Sequence, residues 1–316
     1  MLIKSHAKIN LFLYVTGKRD DGYHDLFSLM ACIDLHDEIE IIFDNSFVLS
    51  EKPPKIEVRC DNLEVPQDES NITFKAVKLF NSSMLAIGKN DLRGVGIYIK
   101  KKIPLGAGLG GGSSNAAAVL KAMNQFYGFP FSDPQLIEMG SQLGADVPFF
   151  ILGGAAIAEG VGERLSPLPL LDILDKKNIY ILLFYPALVA STGNVYKNLD
   201  LALTKSVKSN NKCLLKRFEI KNIKSYQGID IIKGLMHNDL ESSASHFYPE
   251  IGLFRQELVD YLPKSEFLEQ KVMMTGSGST FFSLFSDFEK AQRCFNELSS
   301  KWRFTKREIF LTSFAK

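Results

Sequence analysis

Apolar and polar residues alternate along several short stretches of this chain. From Lys8 to Val15, Ile9, Leu11, Leu13 and Val15 fall on one side and Lys8, Asn10, Phe12 and Tyr14 on the other, the period of a β-strand. The alternation returns over Asp37 to Phe43, where Ile39, Ile41 and Phe43 oppose Glu38, Glu40 and Ile42. It returns again before Lys100, where Val95, Ile97 and Ile99 share a face. Ile179 to Phe184, Lys271 to Met274, Phe281 to Phe285 and Arg307 to Thr312 read as further strands. Helices are predicted over Asn71 to Leu79, with Ser70 or Asn71 as cap, and from about Asn115, where four alanines precede Met123 without a breaker. Ser132 and Gln135 fit a capping box, and Asp133 before Pro134 fits equally well as cap and first residue, for a helix stopping at Gly144; Asp287 to Lys301 reads as another helix. The class is α+β, and a loop-rich zone at Glu159 to Glu163 suggests two domains, 1–158 and 159–316.

Bulk properties narrow the function. With 316 residues, 46% apolar and 23% charged, the chain can bury two cores, and its net charge of +1 gives no field for nucleic acid or an anionic membrane. Cys32, Cys60, Cys213 and Cys294 form no CxxC pair, so neither a structural zinc nor a disulfide framework is expected. The N-terminus lacks a signal pattern, and the longest apolar run, Ile179 to Ala190, is too short to span a bilayer. A cytoplasmic protein is expected, without nucleic-acid or membrane partners. The lysine-rich stretch from Asp200 to Lys233 reads as a solvated insertion or connection.

One stretch stands apart. Pro104-Leu105-Gly106-Ala107-Gly108-Leu109-Gly110-Gly111-Gly112-Ser113-Ser114 packs five glycines into seven residues between a strand and a helix. Bare backbone amides beside a helix N-terminus suit an anion, most often a phosphate. The GxGxxG match within it lacks the acid that a dinucleotide fold places about twenty residues on, because Pro130 to Pro134 opens another helix. A Walker A loop fails as well, since Gly112 rather than lysine follows Gly111, and no HRD or DFG motif is present. A second glycine stretch, Thr275 to Thr280, lies near the C-terminus. Lys8 and Asn10 are open to two readings, a solvated sheet face or the wall of a cleft. Asp146 stands alone as an acid among Val147, Pro148 and Phe149, either capping a turn or poised as a partly dehydrated base.

Taken together, these motifs resemble the GHMP kinase family. Its three motifs are similar to Ala7 to Leu11, to Pro104 to Ser114, and to Met274 to Phe282; Asp21-Gly22-Tyr23-His24 and Gly144 to Phe150 add to the match. The resemblance spans Ser5 to about Phe285 and implies a two-domain GHMP kinase fold, with an N-terminal domain like ribosomal S5 domain 2 and a ferredoxin-like C-terminal domain. It implies an enzyme that moves a phosphoryl group from ATP, with Mg²⁺, to an alcohol of a cytidylyl-bearing substrate. Lys8 and Asp146 would be catalytic. Pro104 to Ser114 would hold ATP, with Asn71 at the adenine; no residue is assigned to the metal. Asn10, Tyr23, His24, Thr192 and Tyr196 would bind the acceptor, Tyr23 and Tyr196 sandwiching the cytosine and His24 reading its edge. The structural alternative for Tyr196 is a half-buried strand aromatic. His6, Met30, Gly193 and Tyr196 depart from the residues usual in the family.

Overall fold

The computed structural model describes residues 1–44, 54–170, 179–197, 199, 228–262 and 271–315. It divides into two units, each built of both strand and helix: residues 1–7, 36–103 and 110–153 in the first, and 8–35, 104–109 and 154–316 in the second. Two long strands, β1 (Leu2–Lys18) and β2 (His24–Asp44), contribute residues to both. They outrun the alternating stretches because few residues in or beside them break a strand. Among the described residues, no helix is long and apolar enough to cross a membrane.

In the first unit, β3 (Ile56–Cys60) lies parallel to β4 (Gly94–Lys100), which pairs antiparallel with β2. The register brings the apolar positions together: Ile39 opposite Ile99, Ile41 opposite Ile97, Phe43 opposite Val95. One apolar face is buried as the alternation predicts, with Ile39 and Ile41 inaccessible to solvent. The helices are α1 (Ile72–Ala86), α2 (Gly111–Phe126), α3 (Asp133–Leu143) and α4 (Val147–Leu152). Asn71 caps α1 by accepting from the Thr73 amide at 2.8 Å, and Ser132 with Gln135 forms the expected box at α3. Gly144 ends α3 with an extended φ of 172° rather than a left-handed one, so its role there does not require glycine's freedom. Gly140 packs closely where α3 meets α4: an added Cβ would stand 2.7 Å from Ile151 Cδ1 and 3.0 Å from Val147 Cγ1, so these side chains would have to shift.

The second unit contains two sheets. In one, β1 lies between β8 (His237–Asn238), parallel to it, and β2, which also pairs with β5 (Ala155–Gly160) and through it with β6 (Arg164–Pro167). The other is antiparallel, ordered β11 (Glu308–Ser313), β7 (Tyr180–Tyr185), β10 (Phe281–Phe285), β9 (Met273–Met274). Its strands fall within a residue or two of the predicted runs. The helices are α5 (Thr192–Lys197), α6 (Gly228–Leu235), α7 (Leu240–Phe247), α8 (Pro249–Tyr261) and α9 (Phe288–Trp302). Asp287 caps α9 through the Lys290 amide at 3.0 Å. Phe184, Phe254, Phe281, Phe285 and Trp302 anchor the core between sheet and helices. Most of the lysine-rich stretch, 200–227, lies outside the described residues; its end forms α6.

Candidate active site

In the second unit the strand residues around Lys8 carry most of the polar chemistry. Every residue from Lys8 to Leu13 is buried, so β1 is covered on both faces and the solvated-face reading of Lys8 and Asn10 fails. Lys8 is 5% exposed and Asn10 4%. A buried ammonium is costly unless an acceptor meets it, and Lys8 Nζ donates to Asn10 Oδ1 at 2.7 Å. Asn10 is itself held. Its Nδ2 donates to Ser28 Oγ at 2.8 Å, Ser28 Oγ donates to the Phe12 carbonyl at 2.7 Å, and the Asn10 amide donates to Thr275 Oγ1 at 2.9 Å.

The two glycine stretches meet beside this pair. The Lys8 amide donates to the Leu109 carbonyl at 3.0 Å, and the Thr280 amide to the Ala107 carbonyl at 3.2 Å. Gly108, at φ +76°, packs so closely that an added Cβ would lie 2.6 Å from the Thr275 carbonyl oxygen and 2.8 Å from that of Gly278. A Cβ on Gly276, at φ +58°, would meet Gly108 O at 3.1 Å and Lys8 Nζ at 3.3 Å. Gly108 requires glycine for backbone reach as well as for conformation, whereas at Gly276 the contact is tight and the conformation favours glycine. Asn238 fastens the second stretch by donating to the Met274 and Gly276 carbonyls at 2.7 and 2.9 Å.

His24, 7% exposed, opens β2, and its ring centroid lies 5.4 Å from that of Tyr196. Burial first, and the Lys18 charge second, push the His24 imidazole below the ordinary 6.5, favouring its neutral form. Tyr196 sits on the helix α5 rather than on a strand, half-buried. Thr192, at the start of that helix, shares a hydrogen bond of 2.8 Å with Ser277 of the second glycine stretch. Tyr23 is 66% exposed.

The first unit holds the rest of the glycine stretch. Helix α2 starts at Gly111, four residues before the alanine-rich run that predicts it at Asn115, with Gly110 as a left-handed N-cap at φ 71°. Thus Gly111 to Ser114 form its first turn, in which the amides of Gly111 to Ser113 have no intrahelical acceptor and the Ser114 amide donates to the Gly110 carbonyl at 2.9 Å. Ser113 is half-buried. Ser114 is buried and its Oγ accepts from Ser5 Oγ at 2.7 Å. Asn115 Nδ2 reaches Ser5 Oγ and Asp37 Oδ2, each at 2.9 Å.

Asp37 is fully buried and organises the approach to the loop. It pairs with Lys101 Nζ and accepts from the Lys102 and Ile103 amides at 2.8 and 2.9 Å. Asp146, half-buried, immediately precedes α4 and makes no capping bond with its side chain, so the capping alternative is not what occupies it. Asn71 is 5% exposed, and its carboxamide caps α1 and donates to the Pro66 carbonyl at 2.5 Å.

Sequence reasoning passed over Asp37, Ser28 and Asn238. For Asp37 a signal existed: it has the parity of Ile39 and Ile41, an acid on the apolar side of a strand. Ser28 and Asn238 carry no comparable mark, because their roles depend on residues distant in the chain.

Comparison with known proteins bears on this arrangement. Residues 71–154 match the family described as GHMP kinases N terminal domain. Over 96% of its length, and 94% of the relative's, the chain is 37% identical to a protein of Alkaliphilus metalliredigens named 4-diphosphocytidyl-2-C-methyl-D-erythritol kinase. A Clostridium kluyveri protein of the same name is 37% identical over 99% of both chains. The chain belongs to the 4-diphosphocytidyl-2-C-methyl-D-erythritol kinase family, a branch of the GHMP kinases. A crystal structure of a 4-(cytidine 5'-diphospho)-2C-methyl-D-erythritol kinase superposes with a TM-score of 0.69 over 100% of both chains, at 29% identity. Homoserine kinase from Cytophaga hutchinsonii, 18% identical, superposes at 0.65 over 97% of this chain and 95% of its own, which reflects the shared fold alone. The α+β, GHMP-type architecture expected from the motifs is the one observed.

Proposed function

We propose that this GHMP kinase transfers the γ-phosphoryl group of ATP to the 2-hydroxyl of 4-diphosphocytidyl-2-C-methyl-D-erythritol, a step of non-mevalonate isoprenoid precursor synthesis in the cytoplasm. The observation that carries the reading is the buried Lys8–Asn10 pair set against two glycine stretches whose backbones touch. Such an arrangement supplies a fixed cation beside backbone that no Cβ obstructs, which suits transfer of a charged group.

Pro104 to Gly110 and the first turn of α2, Gly111 to Ser114, are assigned to the triphosphate. The left-handed glycines at 106, 108 and 110 turn the backbone without side chains. Mg²⁺ bound with the triphosphate would neutralise part of its charge. Ser113 is the hydroxyl of that turn left for it, since Ser114 is engaged by Ser5. Asn71 keeps the loop-to-α1 junction in place, and an adenine contact is assigned to it.

Asp146 takes the proton of the acceptor hydroxyl as that oxygen bonds to the γ-phosphorus. The bond to the β–γ bridging oxygen breaks and ADP leaves. Lys8 steadies the negative charge on the acceptor oxygen, and Asn10, fixed by Ser28 and Thr275, orients Lys8 and the acceptor. His24 reads the cytosine edge in its neutral form, Tyr23 and Tyr196 cover the ring faces, and Thr192 holds α5 to the second glycine stretch. Asp146→Asn tests the mechanism: turnover falls by roughly 10²- to 10⁴-fold with ATP affinity kept. Turnover within twofold of the parent would remove Asp146 from the role of base.

A further inference from the structure

His6 and His36 are a pair of side chains with no part in the chemistry above. They stand in the first unit on β1 and β2, both half-buried, with ring centroids 5.4 Å apart and planes inclined by 60°. A ring nitrogen of each lies within 4.8 Å of one of the other. Along β2, the period of two puts Asp34, which is exposed, on the same side as His36.

We propose that His6 and His36 form a binding site for a divalent transition metal of the zinc, nickel and copper class, with Asp34 as a third donor. Imidazole is the favoured ligand of these ions, whereas Mg²⁺ and Ca²⁺ prefer sets of oxygens. The site therefore differs in chemistry from the metal that accompanies a nucleotide. Tetrahedral coordination at about 2.0–2.1 Å sets two nitrogens about 3.3 Å apart. Reaching that spacing from the present separation requires the two half-buried rings to turn about their side-chain torsions. Because both rings are anchored on strands, little backbone order has to be gained on binding.

The site has a predictable effect. His6 precedes Lys8 by two residues on one strand, hence on the same face, at a rise of about 6.6 Å. A dication held by His6 repels the Lys8 ammonium, so occupancy is read as loss of turnover.

The test uses the full-length, untagged protein without nucleotide, titrated with Zn²⁺ against a chromophoric chelator. One Zn²⁺ binds per chain. His6→Ala and His36→Ala each weaken that binding at least tenfold, Asp34→Asn weakens it less, and His246→Ala, exposed on α7, leaves it unchanged. With Cu²⁺, the electron paramagnetic resonance spectrum carries superhyperfine structure from two imidazole nitrogens, reduced to one in either histidine variant. Thermal unfolding in excess chelator checks that each variant is folded, and His6→Gln and His36→Gln replace any alanine variant that is not. Absence of a saturable site up to about 100 µM Zn²⁺, or the parent's affinity retained in either histidine variant, would overturn the proposal.

Discussion

Replacing Gly108 by alanine probes the contact between the two glycine stretches. The position carries two penalties that can be separated. Its φ of +76° is strained for any residue with a Cβ, at about 1–2 kcal/mol. The added methyl would also lie 2.6 and 2.8 Å from two carbonyl oxygens, both backbone atoms that no rotamer change can move. Relief requires the two stretches to separate, straining the Thr280–Ala107 hydrogen bond of 3.2 Å, and overpacking of this kind costs about 1–3 kcal/mol more. Gly154 is the control: its φ is +67° and an added Cβ meets nothing within 4 Å, so Gly154→Ala carries the conformational penalty alone. Urea unfolding of both variants isolates the clash as their difference, expected at about 1–3 kcal/mol. Because the displaced backbone flanks Lys8, kcat should fall in Gly108→Ala and hold in Gly154→Ala. Equal midpoints for the two variants would refute the argument that the glycine stretches abut.

Asp37→Ala strands the Lys101 ammonium, 6% exposed, and three further donors, so it should cost about 3–5 kcal/mol by thermal or urea unfolding. Glu38→Ala, which loses the half-exposed pair with Lys102, should leave the midpoint unchanged. Ser28→Ala releases the Asn10 carboxamide without touching a reacting group, so kcat should fall several-fold while the KM for ATP stays constant. For His24, whose folded value lies below 6.5, the unfolded chain takes up a proton first as pH falls. Folding stability from this residue is therefore fully present above 6.5 and falls as pH drops from 6.5 through the lowered folded value, below which the folded imidazole is itself protonated. The KM for the cytidylyl acceptor should be flat from pH 8 to about 6.5 and rise as the lowered value is passed, a rise absent in His24→Asn.

The strands were the most legible part of the fold, because alternation in β2 and β4 reflects a sheet with one apolar face. Lys8 and Asn10 illustrate where that reasoning stops. Alternation identifies opposite faces of β1 but does not say that both are covered, and only packing by residues as distant as Thr275 does so. The start of α2 was misjudged for a related reason. Glycine and serine are weak helix formers, yet at a first turn their amides need no intrahelical partner, and Gly110 supplies the left-handed turn that admits them. Tyr196 was placed by its motif near His24, whereas its helix was not evident in six residues. The polar support given by Ser28 and Asn238 stayed hidden because each bonds to groups brought near by the fold, whereas Asp37 was marked by its parity with Ile39 and Ile41.

The central claim is the identity of the acceptor. ADP release is measured with ATP and Mg²⁺ against 4-diphosphocytidyl-2-C-methyl-D-erythritol, homoserine, mevalonate and galactose in turn. Turnover is expected with the first and none above background with the others. Turnover on one of the other three with none on the cytidylyl substrate would contradict the assignment.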